Sequence, residues 1–406
     1  MKKYSMFLLA ALLLPATGNS QNHPLLKQGK WRAEFAAKEG KIPFVFEVNN
    51  EGTPEASVVT LINGTERVPL QGITYKQDSV FIPIQDYDTQ LSGVLKGDTI
   101  EGVFKRLYAD NDPGVPFKAV WGAAPRFATQ GTAVAGADGK WDVTFVSEKG
   151  DEKNVGIFSR QGATLTGSIL TNTGDLRFLE GVIDASGFRL SAFAGLSPYL
   201  IRAQFIDKDH FEGTFITSRG SQQIKGTRNN EAALADPYRL TQLREGYATL
   251  GFKLPDLQNK LVSLSDAKYR NKVVVVSILG SWCPNCLDEM SYLASWYKEN
   301  KDRGVEIVGL AFERKNDPEY VHKVLSNLVK KHGATYDILF AGKIGDDKKV
   351  LPEIDGLKSY PTIIFIDKKG KVRKIHTGFN GPATGLFYEE FKTEFNKLID
   401  DLLKEN

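Results

Sequence analysis

Val273-Val274-Val275-Val276-Ser277-Ile278-Leu279-Gly280-Ser281-Trp282-Cys283-Pro284-Asn285-Cys286 is the stretch on which the reading of this chain turns. The apolar run from Val273 to Leu279 suits a strand buried on both faces. Downstream, Met290, Leu293, Ala294 and Tyr297 recur at helical spacing, so an amphipathic helix follows. The only two cysteines of the 406-residue chain therefore fall, spaced C-x-x-C, at a strand-to-helix junction. Amides and the positive end of the macrodipole stabilise an anion at a helix start, so a thiol there ionises readily. Cys283 is expected to be the low-pKa attacking sulfur. Cys286, one turn inside the helix, is placed to resolve a mixed disulfide, and the pair can close a Cys283–Cys286 disulfide with little backbone movement.

Working outward to the N-terminus, Lys2 and Lys3 precede an apolar run from Met6 to Leu14, then Pro15 and the small or polar residues Ala16 to Ser20. This pattern predicts a cleavable signal peptide over residues 1–20, too short in its apolar core to span a bilayer; an uncleaved anchor is the rival reading. The absence of a cysteine near the cleavage site excludes anchoring through an acylated cysteine. The mature protein is expected to be soluble and exported, in a bacterium to the periplasm, with no transmembrane segment left after cleavage. Exported chains that use cysteine structurally carry several paired residues, whereas here both belong to one motif. The formal charge of +3 falls to about +1 without Lys2 and Lys3. That balance argues against a nucleic-acid partner and offers no polybasic membrane signal.

Residues 23–229 change character. Alternations such as Ile42-Pro43-Phe44-Val45-Phe46-Glu47-Val48 and Ser79-Val80-Phe81-Ile82-Pro83-Ile84 are separated by Gly, Asn and Asp turns, which predicts dense short strands in a sandwich or barrel. An internal repeat runs through them. Gly29-Lys30-Trp31-Arg32-Ala33-Glu34-Phe35 recurs as Gly139-Lys140-Trp141-Asp142-Val143-Thr144-Phe145, and Glu101-Gly102-Val103-Phe104 as Glu212-Gly213-Thr214-Phe215. Between these anchors, Leu61, Asn63, Leu70 and Gly72 match Leu170, Asn172, Leu179 and Gly181. A nearly constant offset of about 110 residues argues for one duplicated β unit, with copies over 23–127 and 128–229. Trp31, Trp141, Phe104 and Phe215 are expected in the core rather than at a sugar-stacking site. Asn63-Gly64-Thr65 reads as a tight turn in preference to a glycosylation acceptor. His23 and His210 are isolated, no metal-ligand spacing occurs, and nothing in this half resembles a catalytic constellation; its expected role is to decide what reaches Cys283. Residues 230–244 read as a linker or a connecting helix.

From Glu245 long elements return. Phe252 to Leu257 and Leu261 to Leu264 read as an entry hairpin. A second buried strand covers Val305 to Phe312. Asp317-Pro318 opens a helix, with Asp as N-cap and Pro at the first helical position. Strands follow near Asp337 to Phe340, Thr362 to Asp367 and Val372 to Thr377. A helix with Phe387, Phe391, Phe395, Leu398 and Leu402 on one face closes the chain. Strands alternating with helices make residues 245–406 an α/β domain, so the expected fold class is a multidomain chain: duplicated all-β units followed by an α/β redox domain.

Ser281-Trp282-Cys283-Pro284-Asn285-Cys286, together with Tyr360-Pro361-Thr362 ahead of a strand ending Phe365-Ile366-Asp367-Lys368-Lys369-Gly370, resembles the TlpA/ResA-like branch of the thioredoxin superfamily. The resemblance covers 245–406 and implies a thioredoxin-like fold. It implies that Pro361 is a cis proline facing the disulfide and that Trp282 and Tyr360 border the substrate groove. Thioredoxin itself carries a buried Asp six residues before the first cysteine, where this chain has Ser277. ResA-like proteins have a Glu three residues after the second cysteine, here Glu289. Such a carboxylate either tunes the cysteines and shuttles the resolving proton or is a solvated helix acid. The family's helix-kinking proline is Ser291 here, which leaves the helix bend open.

Together these readings predict an exported protein-disulfide reductase working by thiol-disulfide exchange, with a disulfide-containing protein as substrate, a membrane thiol donor as the implied reductant, and no cofactor or metal. A disulfide oxidase or isomerase is the alternative within the same chemistry. A ligand-binding β module with an attached redox sensor is the alternative outside it. Zinc would need about four ligands, and a thiol peroxidase, by family resemblance, would need Thr or Ser where Gly280 stands.

Overall fold

Trp31 and Trp141 occupy the same point of two β units, each wholly buried and each donating its indole N–H to the carbonyl four residues earlier, Lys27 at 2.9 Å and Ala137 at 2.8 Å. The computed structural model describes residues 25–50, 56–132 and 136–405; the expected signal peptide and His23 lie outside the described residues. Each tryptophan sits on the opening strand of a nine-stranded sheet. In the first sheet that strand, Gly29–Ala37, lies between Gly40–Asn49 and the last strand, Val115–Trp121. In the second, Gly139–Phe145 lies between Glu152–Gln161 and Ser221–Arg228. The second sheet also closes on itself, because Thr164–Thr171 pairs with both Glu152–Gln161 and Leu179–Asp184. Closure removes free edges and makes a barrel. The first sheet stays open, ending in Glu66–Leu70 on one side and Thr74–Lys76 on the other.

The repeated Glu-Gly-x-Phe strand has a steric reason for its glycine. A methyl on Gly102 would stand 2.0 Å from the Ser92 carbonyl oxygen, and one on Gly213 2.2 Å from that of Arg202. Phe104 is buried as expected, whereas Phe215 is only partly buried and packs on Phe145 and Tyr199 at the rim of the barrel core. Asn63 is also buried, exchanging hydrogen bonds with the Phe193 backbone next to the Gly64 turn. Phe193, from the second unit, inserts its ring among Phe35, Phe44 and Phe104 of the first, with centroids 4.8 to 5.1 Å apart. The two units therefore share a core.

The redox domain is a five-stranded sheet: β1 (Val273–Leu279), β2 (Val305–Glu313), β3 (Asp337–Lys343), β4 (Thr362–Ile366) and β5 (Val372–Thr377). Its order is β3-β2-β1-β4-β5, with β1, β2 and β3 parallel, β4 antiparallel to β1, and β5 antiparallel to β4. All seven residues of β1 are buried. Helices α1 (Pro284–Asn300), α2 (Pro318–His332) and α3 (Leu386–Lys404) cover the sheet. Crossovers between parallel strands require such helices, which is why the buried runs carry almost no polar residues.

Three details depart from the sequence reading. Residues 230–244 hold a single 3-10 turn, Pro237–Arg239, in place of a connecting helix. They are stitched to the redox domain by the Thr377–Thr241 hydroxyl bond at 2.8 Å and a Leu243–Ile354 bridge, so they are no free linker. On α3 the buried face includes Ile399, while Phe387 turns to the barrel, packing with Val155, Leu170 and Ala232.

Candidate functional site

The chain turns from β1 into α1 through Gly280, Ser281 and Trp282. Glu313, buried at the end of β2, fixes this turn by accepting the Ser281 N–H at 2.9 Å and its hydroxyl at 2.7 Å. Trp282 donates its indole N–H to the Phe312 carbonyl at 2.8 Å and meets the Tyr360 ring edge to face, 5.2 Å between centroids. Gly280 leaves room for that indole, since a methyl there would fall 2.3 Å from Nε1.

Cys283 is the N-cap of α1, and Pro284 takes the first helical position. The Cys286 N–H points at Cys283 Sγ at 3.2 Å. The same amide would face a thiolate in the reduced protein, and amides at a helix start stabilise an anion. Cys283 and Cys286 are joined as a disulfide with Cα atoms 5.2 Å apart. The Tyr360–Pro361 peptide is cis, and the Tyr360 carbonyl oxygen lies 3.5 Å from Cys283 Sγ. Cys283, Trp282, Tyr360 and Pro361, 77 residues or more apart in the case of the last two, are thus brought to one place.

Glu289 is wholly buried, which rules out the solvated helix acid. Its Oε1 accepts the Ser277 hydroxyl at 2.6 Å, so a carboxyl from the helix reaches the strand position that lacks one. Oε2 has no protein partner. Burial pushes this carboxyl up to about 8, against the opposing pull of the Ser277 bond. It therefore holds a proton at neutral pH, in contact range of β1 and on the turn after Cys286. Ser291, in place of the family's proline, bonds the Leu287 carbonyl at 2.9 Å and His332 Nδ1 at 2.7 Å, and α1 runs uninterrupted to Asn300.

Sequence reading missed what surrounds the pair. From the first β unit, Tyr108 carries the Arg314 guanidinium 3.7 Å above its ring, and the same guanidinium lies 5.8 Å from the Trp282 ring. From the barrel, a hairpin at Thr171–Arg177 lies against the redox face. Asn285, inside the C-x-x-C, donates to Asp175 Oδ2 at 3.2 Å. Arg177 binds Asp288 of α1 at 2.6 Å and Glu66 of the first unit at 2.5 Å. Burial pushes Asp288 up to about 6 despite its partner, with Asp175 and Glu66 adding to the effect. With these neighbours Cys283 is only 5% exposed. The β half thus supplies side chains around the pair that no sequence motif marked. Among the described residues no three His, Cys, Asp or Glu side chains converge as metal ligands, and no helix is long and apolar enough to cross a membrane.

The AhpC/TSA family pattern matches residues 246–375. The thiol-disulfide oxidoreductase ResA of Bacillus subtilis is 33% identical over 136 residues, which is 34% of this chain and 69% of that protein. Through this region, the chain belongs to the ResA-like thiol-disulfide oxidoreductases of the thioredoxin superfamily. ResA of Halalkalibacterium halodurans is 31% identical over 137 residues, 33% of this chain and 69% of its own. A solved thiol-disulfide oxidoreductase from Bacteroides fragilis is 20% identical with a TM-score of 0.28, covering 36% of this chain and 99% of that one. The chemistry of the ResA-like domain is thiol-disulfide exchange, and the family pattern, which begins at residue 246, leaves the two β units outside it. Asp175, Arg177 and Tyr108, which belong to those units, therefore stand around a ResA-like centre as additions to it.

Proposed function

We propose that this chain is an exported, periplasmic oxidoreductase that reduces protein disulfides through Cys283 and Cys286. The observation that carries the reading is Cys283 at the N-cap of α1, facing the Cys286 amide on one side and the Tyr360–Pro361 turn on the other. In the reduced protein, Cys283 thiolate attacks one sulfur of the substrate disulfide. A Cys283–substrate disulfide forms, and the second substrate sulfur leaves as a thiolate that takes up a proton. Cys286 then loses its proton and attacks Cys283 Sγ, closing the Cys283–Cys286 disulfide and releasing the second substrate thiol. Two electrons pass to the substrate, and a membrane thiol donor restores the dithiol. Glu289 is the group proposed to exchange the Cys286 proton, because it is buried one turn along the same helix and its carboxyl, pushed up to about 8, lies near a thiol's ordinary value of about 8.5, so that its ionised form accepts the proton as Cys286 attacks. Pro361, Tyr360 and Trp282 are proposed to line the substrate approach.

Turnover of insulin with dithiothreitol tests this. The Cys283→Ala variant is expected to lose it, and Cys286→Ala to accumulate a mixed disulfide; unchanged turnover in Cys283→Ala overturns the reading. The reduction potential of the pair separates a reductase from an oxidase, about 30 mV corresponding to tenfold in equilibrium constant.

A further inference from the structure

The barrel hairpin touches each of the three loops that surround the disulfide. At the C-x-x-C, Asn285 Nδ2 donates to Asp175 Oδ2 at 3.2 Å, and a methyl on Gly174 would fall 2.7 Å from the Asn285 side chain. On the loop before Pro361, Ser359 donates its hydroxyl to the Thr173 carbonyl at 3.1 Å. On the loop after β5, the Gly381 N–H donates to Asp175 Oδ2 at 2.7 Å, and a methyl on Gly378 would stand 2.9 Å from the Asn172 carbonyl oxygen. Backbone approaches this close need glycine, so the redox domain is shaped to receive the hairpin.

The hairpin is also held rigid. Thr171 bonds both the Thr173 N–H and the Gly174 carbonyl, and the Arg177 N–H closes on Asp175 Oδ1 at 2.6 Å. Asp175 is itself buried, and truncating one partner of a buried charged hydrogen bond is costly. A segment anchored this way is a wall of the site.

We propose that the hairpin Thr171–Arg177 sets the substrate range of the Cys283–Cys286 pair, standing in cis against the Ser359 loop that leads to Pro361 and so slowing extended protein chains, which remain substrates, relative to small disulfides. The inference rests on the thiol-disulfide reading above. An extended substrate chain approaching Pro361 along Ser359 would meet Thr173, whose carbonyl already takes the Ser359 hydroxyl. A compact disulfide makes no demand on that loop. Asp175 and Arg177 act as specificity-determining residues, since they hold the hairpin in place and leave the sulfur chemistry to the cysteines.

The test compares insulin with bis(2-hydroxyethyl) disulfide as substrates of the full chain. Arg177→Gln removes the links to Glu66 and Asp288, and a second variant replaces Asn172–Asp175 by a shorter Asn-Gly turn that cannot reach Ser359. Both are expected to raise kcat/KM for insulin at least tenfold while leaving that for the small disulfide within twofold. Equal changes for both substrates, or an insulin rate in the shortened variant that falls or stays level, would overturn the proposal. Failure of the parent chain to reduce either substrate would instead count against the redox reading, which separates the two.

Discussion

Glu289 on α1 reaches back to β1 and takes the Ser277 hydroxyl at 2.6 Å, with no water-exposed surface of its own. A carboxyl so placed holds its proton in the folded chain up to about pH 8, whereas an ordinary glutamate carboxyl, near 4.5, loses it far earlier. The folded state thus binds more protons than the unfolded state between these values. By linkage, this group's contribution to stability is complete below about pH 4.5 and is lost as pH rises toward 8. Glu289→Gln is expected to match the parent in urea at pH 4.5 and to exceed it at pH 8.5 by on the order of a few kcal/mol. The same variant should shift the alkylation-rate titration of the active-site thiols. Superimposable titrations would remove Glu289 from the proton path.

Glu313 makes a different prediction, because it holds the turn before Cys283 and touches no sulfur in the contacts described. Glu313→Leu leaves a buried N–H and hydroxyl on Ser281 unpaired, a loss of roughly 2–4 kcal/mol. The urea midpoint should fall accordingly. Glu313→Gln keeps an acceptor for the N–H and should recover most of the stability together with the parent's rate of reaction with an aromatic disulfide reagent.

In the β repeat, Gly213→Ala forces a methyl to 2.2 Å from the Arg202 carbonyl oxygen, a backbone atom that cannot swing aside. We expect a loss of about 2–3 kcal/mol in thermal or urea unfolding followed by tryptophan fluorescence. Gly220→Ala, with open space around its Cα, is the control and should change stability by less than about 0.5 kcal/mol.

Phe193→Ala empties a site framed by Phe35, Phe44 and Phe104 across the boundary of the two β units. A cost of about 3–5 kcal/mol is expected. Because the ring belongs to the barrel and its partners to the open sheet, the loss should lower the unfolding midpoint of both units together; a transition split between them would show that they do not share a core.

Elements with strong periodicity were legible in the sequence. The run Val273 to Leu279 announces a doubly buried strand, Asp317-Pro318 a capped helix, and the cysteines mark the turn between strand and helix. Pro361 was legible only through family resemblance, since its meeting with Cys283 depends on how β4 pairs with β1. Glu289 was ambiguous for a physical reason: one acid on a helix has no periodic signature, and its burial follows from the sheet behind it. The wall of the site was illegible. Asn172-Thr173-Gly174-Asp175 is an ordinary polar turn by composition, and its partners Asn285, Ser359 and Gly381 lie more than 100 residues away. Phe387 was misassigned because a hydrophobic stripe on α3 shows that a face is buried without saying against which body.

Glu66 and Asp175 stand 109 positions apart, the spacing of Leu61 and Leu170 in the repeat, and Arg177 joins them, giving its backbone N–H to Asp175 and its guanidinium to Glu66 and to Asp288 on the cysteine helix. One residue is therefore the meeting point of both β copies and the cysteine helix. Exchange of the redox domain for another of the same fold, without an acid at the place of Asp288, would take from that buried guanidinium one of the two acids described beside it, so a transplanted domain has to bring its own acid to fit.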